Sequence, residues 1–359
     1  MKEIFFTILV VFLFTSCLKD EPFKLMYESS VPEALNDGWI TGTPAEVGMD
    51  AAIIDEVYQT FFSEDHLTLA RGLLIVKDGK LVAEAYCRTK DDRDQISNIK
   101  SATKSVTSIL TGIAMDKNFL DSLNQTIYSI IPEYFDNNLE KRTISIYDVL
   151  TMQTGLNWNN DKDTRPLITG KENSSLEMVL DKDMVFTPGT DYEYTDGNPQ
   201  LLSGSITERS GKSLEDFAKQ HLFSKMGIKD FYWEQHPDGL NFGAVALYLR
   251  PRDFARFGLL CLQSGNWNGE QLVSSAWMQN ATQEHTVSDS NRPYGYYWWI
   301  RPAYNAYTAI GHGGQYVYVI PSANVAIILT SEPYAGEYES ADNLEEFEEL
   351  VVKKVLEAL

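Results

Sequence analysis

The stretch SNIKSATKS, residues 97–105, holds two overlapping Ser-x-x-Lys frames, Ser97 with Lys100 and Ser101 with Lys104. On a helix, residues three apart share a face, so a lysine amine can reach a serine hydroxyl. A serine in the first helical turn also lies at the positive end of the helix dipole, where developing negative charge is favoured. The chemistry would be nucleophilic attack, because a serine hydroxyl is weak until a base takes its proton. A free lysine, with a pKa of about 10.4, is a poor base at neutral pH unless burial or cationic neighbours lower that value. Val106, Ile109, Leu110 and Ile113 recur at helical spacing, so a helix must start at or just before Ser101. Ser97 lies in DQISNIK, which alternates like extended chain and would point Ser97 and Lys100 to opposite faces. Helix phase therefore selects Ser101 and Lys104.

Two further stretches could complete such a site. FTPGTDYEYTDGNPQLLS places Tyr192 and Tyr194 on a loop just before a helix, where a tyrosine could serve as a second proton-handling group. AIGHGGQYVYV sets His312 among glycines at the edge of a strand. Gly313 and Gly314 would let a substrate approach the backbone closely, and the Gln315 N–H could form an oxyanion hole with the Ser101 N–H. The same glycines could equally mark a tight turn between strands. The chain has no Gly-x-Ser-x-Gly elbow, which argues against an α/β-hydrolase. Its five histidines are scattered without metal-ligand spacing, so metal catalysis is not expected.

The elements that must position these residues come from both ends of the chain. MDAAIIDEVYQTFFSE has helical spacing, with Ile53, Ile54, Val57 and Phe61 on one face, and RGLLIVKDGKLVAEAYCR reads as a β-hairpin. The middle is helical and loop-rich: ISIYDVLTMQTGLNW, two helices broken at Gly211, and RPRDFARFGLLCLQSG. Strands return in YGYYWWIRP, AYTAIGHGG and QYVYVIPSANVAIILTSE, and an amphipathic helix closes the chain. This order predicts an α/β (α+β) fold in which an antiparallel sheet flanked by helices is assembled from residues 31–120 and 280–359, with 121–279 a mostly helical inserted domain. A cleft at the junction would hold the site.

Composition bounds the partners. The 359 residues carry a net charge of −21, with a pI near 4.6, which argues against nucleic acid. The acidic EEFEEL near the C-terminus reads as a solvated helix face. The first residues, MKEIFFTILVVFLFTSC, carry Lys2 and an apolar run too short to span a bilayer. They resemble a bacterial lipoprotein signal. That implies a signal peptide over 1–16, lipidation at Cys17, a polar tether over 17–30, and an exported protein held at a membrane by acyl chains, on the periplasmic or outer-membrane face. Cys87 and Cys261 remain, and two cysteines leave open whether a disulfide forms.

Taken together, SATKSVTSILTGIAMDKNFL, ISIYDVLTMQTGLNW, PGTDYEYTDGN, LRPRDFARFGLLCLQSGNWNG, YGYYWW and GHGGQ, in this order, resemble the serine hydrolases related to class C β-lactamases. These include D-alanyl-D-alanine carboxypeptidases, D-aminopeptidases, carboxylesterases and 6-aminohexanoate-dimer hydrolases. The resemblance implies the β-lactamase/transpeptidase-like fold and a cofactor-free acyl-enzyme mechanism on a small amide or ester. Ser101 would be acylated, Lys104 would be its base, and Tyr194 would relay protons to the leaving group. His312, Gly313 and Gly314 would stand where lactamases have Lys-Thr-Gly, with Gln315 supplying an oxyanion amide. Two departures bear on substrate and rate. The Tyr-x-Asn of the family is absent, and Tyr194-Thr195-Asp196 matches it better than Tyr134-Phe135-Asp136. An acid at 196 would keep Lys104 charged, and Asn198 would have to supply the missing amide. Histidine in the third motif resembles the esterase and aminohexanoate-hydrolase branches more than true β-lactamases; the alternatives are a true β-lactamase or D,D-carboxypeptidase, or a catalytically decayed binding protein on the same fold. Trp158, Trp298 and Trp299 are expected to line the substrate site.

Overall fold

Residues 78 and 79 turn the chain back on itself: Asp78 and Gly79 both have positive φ, 51° and 80°. That pair gives the type I′ hairpin whose twist matches the strands it joins, here β1 (Ala70–Lys77) and β2 (Lys80–Tyr86). The computed structural model describes residues 23–170, 174–288, 290–334 and 343–359. The apolar leader and Cys17 lie outside the described residues. Three short strands follow, β3 (Ser97–Asn98), β4 (Phe231–Trp233) and β5 (Leu247–Leu249), in a sheet of order β3-β5-β4, and β6 (Asn266–Trp267) pairs with β7 (Glu270–Gln271). The last part of the chain supplies β8 (Thr286–Val287), β9 (Pro293–Tyr294), β10 (Trp299–Arg301), β11 (Ala306–Gly311), β12 (Gln315–Ile320) and β13 (Val325–Ser331). Together with the first hairpin they make one antiparallel sheet of order β2-β1-β13-β12-β11-β10-β9-β8. β1 sits beside β13, so the two chain ends meet within the sheet.

Both faces of this sheet are covered, which explains strands that are apolar at nearly every position. In β13, Val325, Ile327 and Leu329 face one layer, and Ala326 and Ile328 face the other. The first layer holds the helix Ala51–Phe62, capped by Asp50 accepting from the N–H groups of Ala52 and Ile53, and the C-terminal helical run 344–357. Its buried face is Ile54, Val57, Tyr58 and Phe61, while Ile53 is only partly covered. The second layer includes the helix Pro251–Leu262, which lies within 121–279 and yet packs on β12, β13 and β1. It approaches closely because Gly258 carries no side chain: a Cβ there would stand 2.8 Å from that of Ala326.

Two expectations change, and one open question closes. YGYYWWIRP is not one strand; Gly295 to Trp298 leave the ladder, with Tyr297 at φ 63° and its carbonyl accepting from Ser105 Oγ at 2.6 Å. EEFEEL is not wholly solvated. Glu348 is buried and accepts from Arg301 Nε at 2.6 Å and Tyr318 OH at 2.9 Å. Cys87 and Cys261 are unpaired and buried in different layers. Among the described residues no helix is long and apolar enough to cross a membrane.

Candidate active site

Ser101 sits in a single 3₁₀ turn, Lys100–Ala102, that opens directly into the helix Thr103–Asp116. The helix is buried almost all round from Thr103 to Ala114, although its apolar residues cover one face only. The other faces are small residues, three of which tie the helix down through their hydroxyls: Ser105 Oγ donates to Tyr297 O, Thr107 Oγ1 to Gly243 O and Thr111 Oγ1 to Thr107 O. Gly112 lets Trp277 lie against the helix backbone. Such a helix cannot shift without breaking contacts on every side, so the serine at its start is held rigidly.

Two neighbours pin the turn itself. The Ile99 N–H donates to Leu247 O at 2.9 Å, tying the segment before the serine to β5. On the other side β11 ends at Gly311, where a Cβ would stand 2.1 Å from the Ile99 carbonyl oxygen, so only glycine allows this approach. Gly313 and Gly314 have φ of 80° and 96° and form the turn from β11 to β12, so backbone geometry alone accounts for both. The Gln315 side chain points inward, bonded to the backbone of Ser331, and anchors the start of β12.

The chosen frame has the required geometry. Lys104 Nζ is 2.9 Å from Ser101 Oγ, 2.6 Å from Asp196 Oδ1 and 3.4 Å from Ala244 O. An ammonium has three donors, and these three acceptors take them all. The Lys104 side chain is 1% exposed, and its Nζ lies 4.8 Å from the centroid of the Tyr194 ring. Burial by itself would depress the Lys104 pKa, but the charge of Asp196, then the neighbouring Tyr194 hydroxyl, outweighs it and leaves the pKa raised. The lysine is therefore protonated at neutral pH. His312, at the cleft wall, goes the other way: partial burial of its ring, then the charge of Lys100, lowers its pKa and keeps it neutral.

Asp196 is held by residues that the sequence did not single out. Thr164 Oγ1 donates to Asp196 Oδ2 at 2.7 Å, and the Asp196 N–H donates to Asn160 Oδ1 at 2.8 Å. Asn160 Nδ2 donates to the Tyr194 carbonyl at 3.2 Å. Asn160 and Thr164 bound a wide helical turn of the i→i+5 kind, Asn160–Thr164, a form that recurs at functional sites. The cleft measures about 510 Å³. Ser101, Tyr194, Asp196 and His312 line it with Lys100, Asn160, Glu234, Tyr248 and Tyr334. Among the described residues no group of acidic, histidine or cysteine side chains is arranged to hold a metal.

The model of the beta-lactamase family matches residues 64–349, which span every element of this site. The chain belongs to the beta-lactamase family. A 6-aminohexanoate-dimer hydrolase of Paenarthrobacter ureafaciens is 22% identical over 289 residues, 74% of this chain and 73% of that protein. Among solved structures, a candidate 6-aminohexanoate-dimer hydrolase from Bacillus anthracis superposes with a TM-score of 0.71 at 20% identity, covering 94% of this chain and 90% of that one. A class C beta-lactamase superposes with a TM-score of 0.63 at 15% identity, covering 86% and 97%. The fold is thus the β-lactamase/transpeptidase-like one, as the motifs implied.

Within this family member several residues do not stand where the motifs suggested. Asn198 supplies no amide to Lys104: it is buried on the far side of the loop, accepting from Thr154 Oγ1 at 2.9 Å. Helix geometry separates it from Asp196, because Asn198 opens the helix Asn198–Ser210 and its side chain turns inward with that helix. Tyr134 and Asp136 do not line the cleft, and Asp136 is paired to Lys141. None of the three tryptophans lines the cleft. Trp158 and Trp298 are core residues; Trp158 acts at one remove, its Nε1 donating to Asn160 Oδ1 at 3.0 Å. Trp299 packs against the Tyr194 ring at a centroid distance of 5.6 Å. The residues missed, Asn160, Thr164, Glu234 and Tyr248, carry no local motif. Only Lys100 had a visible signal, its place next to the nucleophile.

Proposed function

We propose that the protein is a serine hydrolase that cleaves small amides or esters through an acyl-enzyme on Ser101. The contact that carries this reading is the 2.9 Å approach of Lys104 Nζ to Ser101 Oγ at the floor of an open cleft. In the proposed reaction a deprotonated Lys104 takes the Ser101 proton while Oγ bonds to the substrate carbonyl carbon. The tetrahedral oxyanion is met by backbone N–H groups at Ser101 and Gln315. The bond to the leaving amine or alcohol then breaks, with a proton delivered by way of Tyr194. Water then attacks the ester formed on Ser101: its oxygen bonds to the acyl carbon, the bond to Oγ breaks, the acid leaves, and a proton from that water, passed through Lys104, restores the Ser101 hydroxyl. The family match, and a relative named as a hydrolase of an amide dimer, support the amide side of this range.

The expected result is that a fluorophosphonate probe labels the wild type and Ser97→Ala but not Ser101→Ala. Labelling that survives Ser101→Ala would reject the assignment. The Lys104–Asp196 ion pair favours one other reading, a binding protein on this fold whose lysine is permanently charged. Intact-mass spectrometry with short-chain nitrophenyl esters separates the two: a transient acyl adduct marks the enzyme, and binding without adduct or turnover marks the binding protein.

A further inference from the structure

Lys100 lines the cleft next to the nucleophile, yet it takes no part in the proposed reaction. Its backbone is in the left-handed region, φ 52°, which is unfavourable for a residue with a Cβ. The conformation is held from both ends. The Lys100 N–H donates to the buried Asn98 side chain at 2.8 Å, and the next residue begins the rigid turn at Ser101. Ala246, also on the cleft wall, has φ 67°, so two of the cleft's residues carry backbone strain of the kind that gathers at ligand sites.

Among the described residues, the side chain is a cation without a partner carboxylate. Its Nζ lies over the ring of Tyr334, 4.2 Å from the centroid, and no carboxylate among the described residues comes within ion-pair distance. The two carboxylates whose charge reaches it are engaged elsewhere. Glu234 accepts from Tyr248 OH at 2.5 Å, and Glu332 accepts from Arg71 Nη1 at 2.6 Å. Burial pulls the Lys100 pKa below the ordinary lysine value, as expected of a desolvated ammonium that those acids do not fully compensate. A half-buried cation with an aromatic face on one side and open cleft on the other is poised for a ligand anion. The His312 ring, near enough to feel its charge, adds a neutral donor or acceptor at the same wall.

We propose that Lys100 binds a carboxylate of the substrate, so that this hydrolase prefers small amides or esters bearing a free acid group close to the scissile bond. The proposal rests on the reading of Ser101 as nucleophile for its substrate class, but the binding can be measured without turnover. Ser101→Ala protein would be titrated by calorimetry with N-acetylglycine, N-acetyl-β-alanine and N-acetyl-4-aminobutyrate, and with the three corresponding primary carboxamides. At least one acid should bind roughly ten- to hundredfold more tightly than its carboxamide, the scale of a charge-assisted hydrogen bond. Adding Lys100→Met should remove that preference, Lys100→Arg should retain most of it, and thermal unfolding would confirm that each variant is folded. A Ser101→Ala protein without preference for any acid, or a preference that survives Lys100→Met, overturns the proposal. Loss of fluorophosphonate labelling in the wild type would instead strike the nucleophile assignment and leave the titration readable.

Discussion

At the scale of single residues, the decisive contact is the 2.6 Å pair between Lys104 and Asp196. It loads the proposed base with a proton, so the rate should follow the small deprotonated fraction. Because the Lys104 pKa is raised, kcat/KM for a neutral ester should climb with pH through the alkaline range without levelling off near neutrality. Asp196→Asn removes the largest interaction that raises this pKa and leaves the opposing burial in place. The rising limb should then move to lower pH. At neutral pH, kcat/KM should stay equal or increase, by roughly tenfold for each pH unit that the limb moves. A pH–rate profile of the variant checks this. A large fall at every pH would mean that the carboxylate itself takes part in catalysis.

At the scale of elements, the site depends on how closely a strand end and a helix start can approach. Gly311 closes β11 against the Ile99 carbonyl, two residues before the nucleophile, and a Cβ there would stand 2.1 Å from that backbone oxygen, which cannot rotate aside. Gly311→Ala should therefore cost about 1–3 kcal/mol, the usual range for forced overpacking. It should also lower kcat/KM by roughly tenfold or more, because displacing a nucleophile by a fraction of an ångström spoils attack geometry. Urea unfolding and ester kinetics would measure the two effects. Unchanged stability and activity would show that β11 yields freely and does not set the position of Ser101.

At the scale of the whole molecule, one buried arginine ties three distant segments. Arg252, on the helix Pro251–Leu262, donates to Glu84 of β2 through Nε at 2.8 Å and Nη2 at 2.5 Å. It also reaches Asp37 Oδ2 and the Glu33 carbonyl, each at 2.8 Å, and so fastens the N-terminal segment over the edge of the sheet. Replacing it with methionine leaves Glu84, 6% exposed, without its charged partner, with only the Tyr86 hydroxyl still donating to it. The expected loss is about 3–5 kcal/mol, and Glu84→Met in the same protein should recover a good part of it. Equilibrium unfolding of the two variants tests the clamp; a loss below about 1 kcal/mol would place it among the surface pairs that contribute little.

What was legible in the sequence was local in origin. The choice of Ser101 and Lys104 over Ser97 and Lys100 is a matter of helix phase, which the apolar residues from Val106 to Ile113 display in full. The hairpin at Asp78-Gly79 and the break at Gly211 were readable for the same reason, since a left-handed residue announces itself by its type. The two-ended sheet followed from the order of these elements. The contents of the cleft did not. Asn160, Thr164 and Glu234 reach it only through folding, and the three tryptophans fall elsewhere because burial and not residue type decides their place. The motif comparison already set an acid beside Lys104, but whether its charge outweighs the burial of the lysine is decided by the tertiary structure. The amino-acid sequence supplies the lysine and, 92 residues on, the aspartate, but only their enclosure at 2.6 Å in a site of low dielectric sets which of them governs the proton.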